Sequence, residues 1–445
     1  MVTEKKWTEL TWEQKREKRF QKWLEAPDVQ FKSPKAKKAY QERVTRLIKV
    51  IKLEEPDRVP CMLPAGSFAV HYAGSSTYKV MYDTEEAVRV WKKFRQDFET
   101  DTSMGAGAGI QAKVMDIMDY KLMKWPGHGL STDSTSMQFV EGEYMKADEY
   151  DAMLDDPSDF WMRTILPRTV GALEPFQYLN QLNPMVGMPM GYIMPFARND
   201  VQAAFQALAK AGEEMMESGK MAVEIGREEL TSGYPPFAGG MSAAPFDMIG
   251  DSLRGTHGII MDMYRQPDKL LEAMERVAHW AIKMGVSGSA NALSPVIMMP
   301  LHKGDDTFMS DEQFETFYWP TLKKVMMGLI DEGLVPMPFA EGFYNRRLEV
   351  IKDMPRSAVI WYFERSDMFK AKEVLGDTSC IAGNVPVSLL STGSPQEVKE
   401  YCRQLIKVCG KGGGYILSAA SSVEKGNPDS IRAMMEAAKE YGSYK

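Results

Sequence analysis

Several polar residues stand directly behind short apolar runs, where side chains able to do acid–base or metal chemistry would be gathered at one end of a sheet. His302, Asp305 and Asp306 follow VIMMPL, Glu341 follows VPMPFA, and Glu364 and Asp367 follow AVIWYF. Asn384 closes SCIAGN, and Ser421 and Ser422 follow GGYILSA. A histidine among carboxylates supplies a general acid and a general base, or nitrogen and oxygen ligands for a metal ion. Glu341, His302, Glu364 and Asp367 are therefore the catalytic candidates, with Glu341 and His302 the pair for a metal. Each has a structural alternative: Glu341 can pair with Arg346 or Arg347, Glu364 with Arg365, and Asp367 can cap a helix. Phe339, Tyr362, Asn384 and Ser421 are read as substrate contacts. A second cluster, Trp125-Pro126-Gly127-His128-Gly129, Asp133 and Gln138 to Tyr144, mixes glycine, aromatic and acidic residues as a loop folded over a pocket does. It adds His128 and Asp133 as substrate-binding candidates.

The elements that must carry these residues are legible from their period. VIMMPL (296–301), VPMPFA (335–340), AVIWYF (358–363), SCIAGN (379–384) and GGYILSA (413–419) are near-continuously apolar, as buried parallel strands are. Between them lie amphipathic segments with helix start signals. Ser310 with Gln313 reads as a capping box for a helix to about Glu332. Ser394, Pro395 and Glu397 begin a helix to about Cys409, and Asn427-Pro428 one to about Tyr441. With earlier strand candidates VPCML (59–63), MVGMPMGYIM (185–194) and residues around Phe237 to Met241, an (β/α)8 TIM barrel is the economical solution. Its active end is the carboxyl end of the strands, where the candidates above stand. GAGAG at 105–109 lacks the GxGxxG spacing of a dinucleotide loop.

Composition bounds the function. The 445 residues are 44% hydrophobic and 26% charged, values of a globular enzyme rather than a disordered or fibrous chain. No apolar run is long enough to span a bilayer, and MVTEKKWTELTWEQKREKRF has no signal-peptide core, so a cytoplasmic protein without a membrane partner is expected. Four cysteines without a CxxC pair argue for buried thiols. Residues 1–52 hold 15 Lys/Arg and 7 Asp/Glu, a net +8 within a chain of net -7. The expectation is a basic helical extension over residues 1–55, an amphipathic and solvated arm, followed by the barrel over 56–445. The acidic body argues against nucleic-acid binding. The 34 methionines suit a deformable interior or pocket.

GDTSCIAGNVPVSLLSTGSPQEVKEYC, followed by GGGYILSAASSVEKGNPDSIRAM, resembles the closing βα units of the uroporphyrinogen decarboxylase superfamily. The resemblance extends over roughly residues 56–445 and is most specific over the last 110 or so. It implies a (β/α)8 barrel and either decarboxylation or methyl transfer with a corrinoid protein. True decarboxylases carry an early R-x-P-x-W-x-M-R-Q-A-G-R segment, where this chain has RVPCMLPAGSFAVHYAG. That favours the methyltransferase branch. Zinc-dependent members of that branch carry H-x-C-G and a late cysteine; here Phe339, Glu341-Gly342 and Ser421 or Ala420 stand at those places. The resemblance implies a methyltransferase that moves a methyl group from a small methylated substrate, such as a methoxylated aromatic, to the cobalt of a partner corrinoid protein, with zinc an optional cofactor held by Glu341, Glu364, Asp367 or His302. A decarboxylase or lyase of a carboxylated small molecule or tetrapyrrole, and a non-catalytic corrinoid- or tetrapyrrole-binding protein, are the alternatives.

Overall fold

A computed structural model describes residues 5–103, 111–181 and 190–444. Seven parallel strands form the central sheet: β1 (Cys61–Met62), β5 (Gly240–Met241), β6 (Val296–Leu301), β7 (Val335–Ala340), β8 (Ile360–Phe363), β9 (Cys380–Val385) and β10 (Tyr415–Ala419), in the order β1-β10-β9-β8-β7-β6-β5. A small three-stranded sheet, β2 (Met123–Pro126), β3 (Gly129–Leu130) and β4 (Gln138–Phe139), lies outside it.

The two edges of the central sheet are joined by a short segment. The amide of Asp101 donates to Cys61 O at 2.9 Å, that of Ser103 to Pro235 O at 2.7 Å, and that of Phe237 to Ser103 O at 2.9 Å. Residues 101–103 thus take the second strand position, and the sheet curls into a TIM-type barrel with strands in chain order. This position was invisible in the pattern because Thr100, Asp101, Thr102 and Ser103 are polar although buried. Asp101 accepts from Arg46, Arg58 and the amide of Cys61, so an ion network replaces the expected apolar run.

The strands β6 and β7 span the expected residues, and β8, β9 and β10 fall within two residues of them at each end. Cooperating local signals explain why. The helix Pro395–Cys409 starts at Ser394, whose side chain accepts from the Glu397 amide in a capping box, with Pro395 in the first turn. Ser310 caps its helix in the same way. The strand expected at 185–194 is corrected in part: Met190–Ile193 is a helical turn, followed by a 3-10 turn at Met194–Ala197. Residues 185–189, like the GAGAG run at 105–109, lie outside the described residues. The strand expected around Phe237 to Met241 is present as β5 and its lead-in.

The amino-terminal helices α1 (Trp12–Glu25) and α2 (Pro34–Ile51) pack their apolar faces against the barrel. Phe20, Trp23, Tyr40, Val44 and Leu47 share one core with Met62, Val296, Val335, Met337, Ile360 and Ile416 from the strands. These are the inward-pointing residues of the barrel's lower layers, so the helices stopper its amino-terminal end. The basic charge is used in the same contact. Lys15 donates to Asp331 O at 2.8 Å and Arg19 to Glu332 O at 2.8 Å, where the helix Trp319–Asp331 ends with unsatisfied carbonyls. Arg16 donates to Ser357 O and Arg43 to Gly233 O, each at 2.7 Å. The helices of a TIM barrel finish at this end, so it is rich in carbonyl charge that cations match.

Candidate active site

Strand register lifts the candidate residues to one level. Pro300, Phe339, Tyr362, Ala382 and Ile416 are paired across β6 to β10 and point inward. With a side-chain period of two, the next inward layer toward the carboxyl ends is His302, Glu341, Glu364, Asn384 and Ser418. Phe339 packs on Tyr362 with ring centroids 4.5 Å apart and planes tilted by 31°, and the Tyr362 hydroxyl donates to Ala419 O at 2.7 Å. This pair forms the floor of the mouth.

His302 is the centre of the charge arrangement. Its Nδ1 lies 2.5 Å from Asp251 Oδ2, and its Nε2 lies 3.8 Å from Glu341 Oε1. The hydrogen bond to Asp251, reinforced by the charges of Asp247 and Asp251, raises the imidazole to about 9 against the cost of burial. At neutral pH it is an imidazolium. Asp251 also accepts from Lys303 Nζ at 2.5 Å and is held below the usual carboxylate range by His302 and Lys303 despite its burial. Asp247, fully buried, accepts from the amides of His302 at 2.9 Å and Lys303 at 3.0 Å and from the Tyr318 hydroxyl at 2.6 Å. Burial, then the nearby charge of Asp251, pushes Asp247 up to about 6. Burial raises Glu341 too, with Glu364 adding to the rise and His302 opposing it. Glu341 and His302 are about two-fifths exposed, so the pair faces the solvent-filled mouth.

The other candidates separate into those at the mouth and those outside it. Glu364 borders the centre: its Oε2 accepts from the Gly342 amide at 2.7 Å, fixing the turn that carries Glu341. The Asn384 amide group donates to Glu364 O at 3.2 Å and Ser366 O at 2.8 Å, a brace from β9 on the turn that carries Glu364. Ser421 is half-buried just beyond β10. Asp367 caps the helix Met368–Leu375, accepting from the amides of Phe369 at 2.9 Å and Lys370 at 3.2 Å. Asp305 accepts from the amides of Thr307, Phe308 and Phe343, and Asp306 from that of Arg346. His128 stacks on Trp125 at 4.1 Å with Nδ1 3.4 Å from Asp116, in the small outer sheet, and Asp133 is exposed in the following loop. Neither contacts the His302 centre. The segment after β4 does reach it, through Glu141 Oε1 at 3.9 Å from Lys303 Nζ.

Asp247, Asp251 and Lys303 were missed by the sequence reading. The two aspartates lie four residues apart in PFDMIGD, on the helix Pro245–Ile249 and the π-turn Gly250–Arg254 that continues it. They follow β5, a strand of two residues whose brevity hid the strand-end rule that found the others. The spacing was the available signal, since residues four apart share a helix face.

His302 Nδ1 is taken by Asp251, which leaves Nε2 and Glu341 Oε1, 3.8 Å apart, as the two donors facing the mouth. Among the described residues no three His, Cys, Asp or Glu side chains are arranged to hold a metal. The four thiols are buried; burial pushes Cys61, Cys380 and Cys409 up to about 12 and Cys402 higher still, so none offers a thiolate.

A family model described as uroporphyrinogen decarboxylase (URO-D) matches residues 185–441. The chain belongs to the URO-D family. The match covers β5 to β10 and with them the whole His302 centre. No curated protein matches the sequence. Among solved structures, the fold is similar to that of a methyltransferase from Methanosarcina mazei, with a TM-score of 0.56 and 15% identity over 89% of this chain and 98% of that one. In this URO-D family member the barrel mouth thus carries a protonated histidine clamped between carboxylates. No helix among the described residues is long and apolar enough to cross a membrane.

Proposed function

We propose that this chain is a methyltransferase that takes a methyl group from a small methylated compound, of the methoxylated aromatic class, and passes it to a corrinoid protein. The observation that carries this reading is the His302 imidazolium, held by Asp251 with Nε2 turned to the mouth. A methoxy group leaves as an alkoxide or phenolate unless its oxygen is protonated, and a positioned acid with a pKa near the working pH supplies that proton. When bound, the partner's corrinoid supplies a low-valent cobalt that accepts the methyl group.

The chain's own residues do the rest. Phe339, partly exposed and backed by the buried Tyr362, provides an aromatic floor for the ring of the donor. As the carbon–oxygen bond breaks, the electron pair stays on oxygen, which takes the proton from His302 Nε2. Asp251 keeps Nδ1–H in place and stabilises the charged ring beforehand. Glu341, raised by burial and partly exposed, lies 3.8 Å from Nε2 and returns the proton for the next cycle. Met241 and Phe343, 57% and 39% exposed, give apolar contact for a partner docking over the opening.

The test is a single turnover: the chain, a corrinoid protein reduced to cobalt(I), and a panel of methoxylated aromatics, followed by the change in cobalt absorbance. Methylation that is lost in His302→Gln supports the reading. An unchanged spectrum across the panel, with carbon dioxide released from carboxylated analogues instead, would replace it with the decarboxylase reading.

A further inference from the structure

The charges at the barrel mouth are unevenly matched. Asp247, Asp251, Glu341 and Glu364 stand around His302 and Lys303, four carboxylates against two cations. What solvent meets is mostly the acids: Glu341, Glu364 and Asp251 keep 40%, 22% and 21% of their side chains exposed, and Lys303 only 9%. The cations on the turns behind the strands are held by the chain's own acids. Lys303 Nζ is spent on Asp251, Arg365 lies 3.6 Å from Glu364, and Arg346 and Arg347 both pair with Asp311. Lys425, behind β10, lines a cleft with His71 and Thr135 that shares no residue with this centre. The stretches 104–110 and 182–189, outside the described residues, contain no Lys, Arg or His.

We infer that the site takes an uncharged methoxylated aromatic and turns away those that bear a carboxylate. The inference rests on the methyl-transfer reading and adds what the site selects. A carboxylate leaving water needs a cation to receive it. Arginine does this best, with two parallel N–H groups, yet the arginines of these turns are given to Asp311 and Glu364. The N–H turned to the mouth is that of His302 Nε2, and the proposed reaction spends it on the ether oxygen. A carboxylate on the ring would therefore lie among Glu341, Glu364 and Asp251 without compensation. Like charges within about 10 Å in a partly desolvated mouth weaken binding by at least about a factor of ten. A cationic donor is disfavoured in turn, because it would have to approach the imidazolium. The apolar surface that remains suits a neutral ring: Phe339, partly exposed, lies one inward layer below Glu341 on β7.

Two donors that differ by one ring carboxylate, 2-methoxyphenol and 4-hydroxy-3-methoxybenzoate, test this, with the methyl ester of the second as a control for size. Binding to the full chain is followed by isothermal titration calorimetry, and methyl transfer to a cobalt(I) corrinoid protein by absorbance. The phenol and the ester are expected to bind at least about tenfold more tightly than the acid and to exceed it in kcat/KM by at least that factor. Raising the salt from about 0.02 M to about 0.5 M should narrow the gap, since screening acts on the charged ring alone. Glu364→Gln should narrow it too: the amide oxygen still accepts from the Gly342 amide, while one negative charge is gone and Arg365 loses its partner. Equal or tighter binding of the acid, an ester rejected like the acid, or binding of none of the three overturns the inference. Binding in the expected order without methyl transfer from any donor supports the charge selection and overturns the reaction instead.

Discussion

His302 draws its charge from a neighbour that sequence reading did not single out. Asp251 sits 2.5 Å from Nδ1 and lifts the ring from its ordinary value to about 9. If the imidazolium is the acid that protonates the leaving oxygen, methyl transfer holds at neutral pH and falls as pH rises through about 9. Asp251→Asn removes the charge, lets the ring relax toward its ordinary pKa near 6.5, and should bring that limb down with it. Nitrogen-15 chemical shifts of the ring, read beside the pH–rate profile, check both halves. A limb that stays in place while the ring titration moves would separate His302 from the rate. The stability consequence has the same sign. A folded-state pKa above the unfolded one contributes stability that is complete below about 6.5 and is lost as pH climbs through about 9. Legibility at this scale followed strand ends: Glu341, His302 and Glu364 were found because each directly follows a near-continuously apolar run. Asp247 and Asp251 were not, because they stand on a helix one turn away and act through His302.

The helix Pro245–Ile249 with its π-turn is the element that sets the site. Asp247 accepts three donors at once, two backbone amides and the Tyr318 hydroxyl, in a fully buried position. It thereby joins this helix to the end of β6 and to the π-turn Phe314–Tyr318. Asp247→Ala leaves those donors without an acceptor, at a cost of about 1–3 kcal/mol for each donor left unsatisfied. Partial rescue by water would place the total near 3 kcal/mol. Urea unfolding with an unchanged slope measures it, and a loss below about 0.5 kcal/mol would mean the amides find other partners. Elements were legible where local signals agree. Ser394, Pro395 and Glu397 specify one helix start three times over, and the helix, expected to run to about Cys409, ends there. The strand position at 101–103 was not, because a buried Asp with two arginines does there what valine and isoleucine do elsewhere in the barrel.

At the scale of the whole molecule, the unexpected feature is that the basic arm and the barrel share one interior. A net +8 over residues 1–52 suggested a solvated helical arm, yet its cations end on helix carbonyls and its aromatic residues on strand side chains. The pattern was ambiguous because an amphipathic basic helix looks the same whether its apolar face meets solvent-borne partners or its own barrel. Tertiary contact decides, and the barrel's open amino-terminal end, lined by Val296, Val335 and Ile360, had to be covered by something. Trp23, with no exposed surface, makes a sensitive probe. Trp23→Ala removes a large aromatic side chain from this shared core and should cost about 3–5 kcal/mol of global stability. The loss should appear as one cooperative transition moved to lower urea, with tryptophan fluorescence and far-UV circular dichroism shifting together. An arm that folded on its own would instead give an early, separate transition and leave the main one unmoved. The same argument predicts the fate of the active end: because inward residues of β6, β7 and β8 run from the stopper at Val296, Val335 and Ile360 up to His302, Glu341 and Glu364, slack introduced below loosens the layers above. Partial loss of turnover in Trp23→Ala under conditions where it is fully folded would register that transmission.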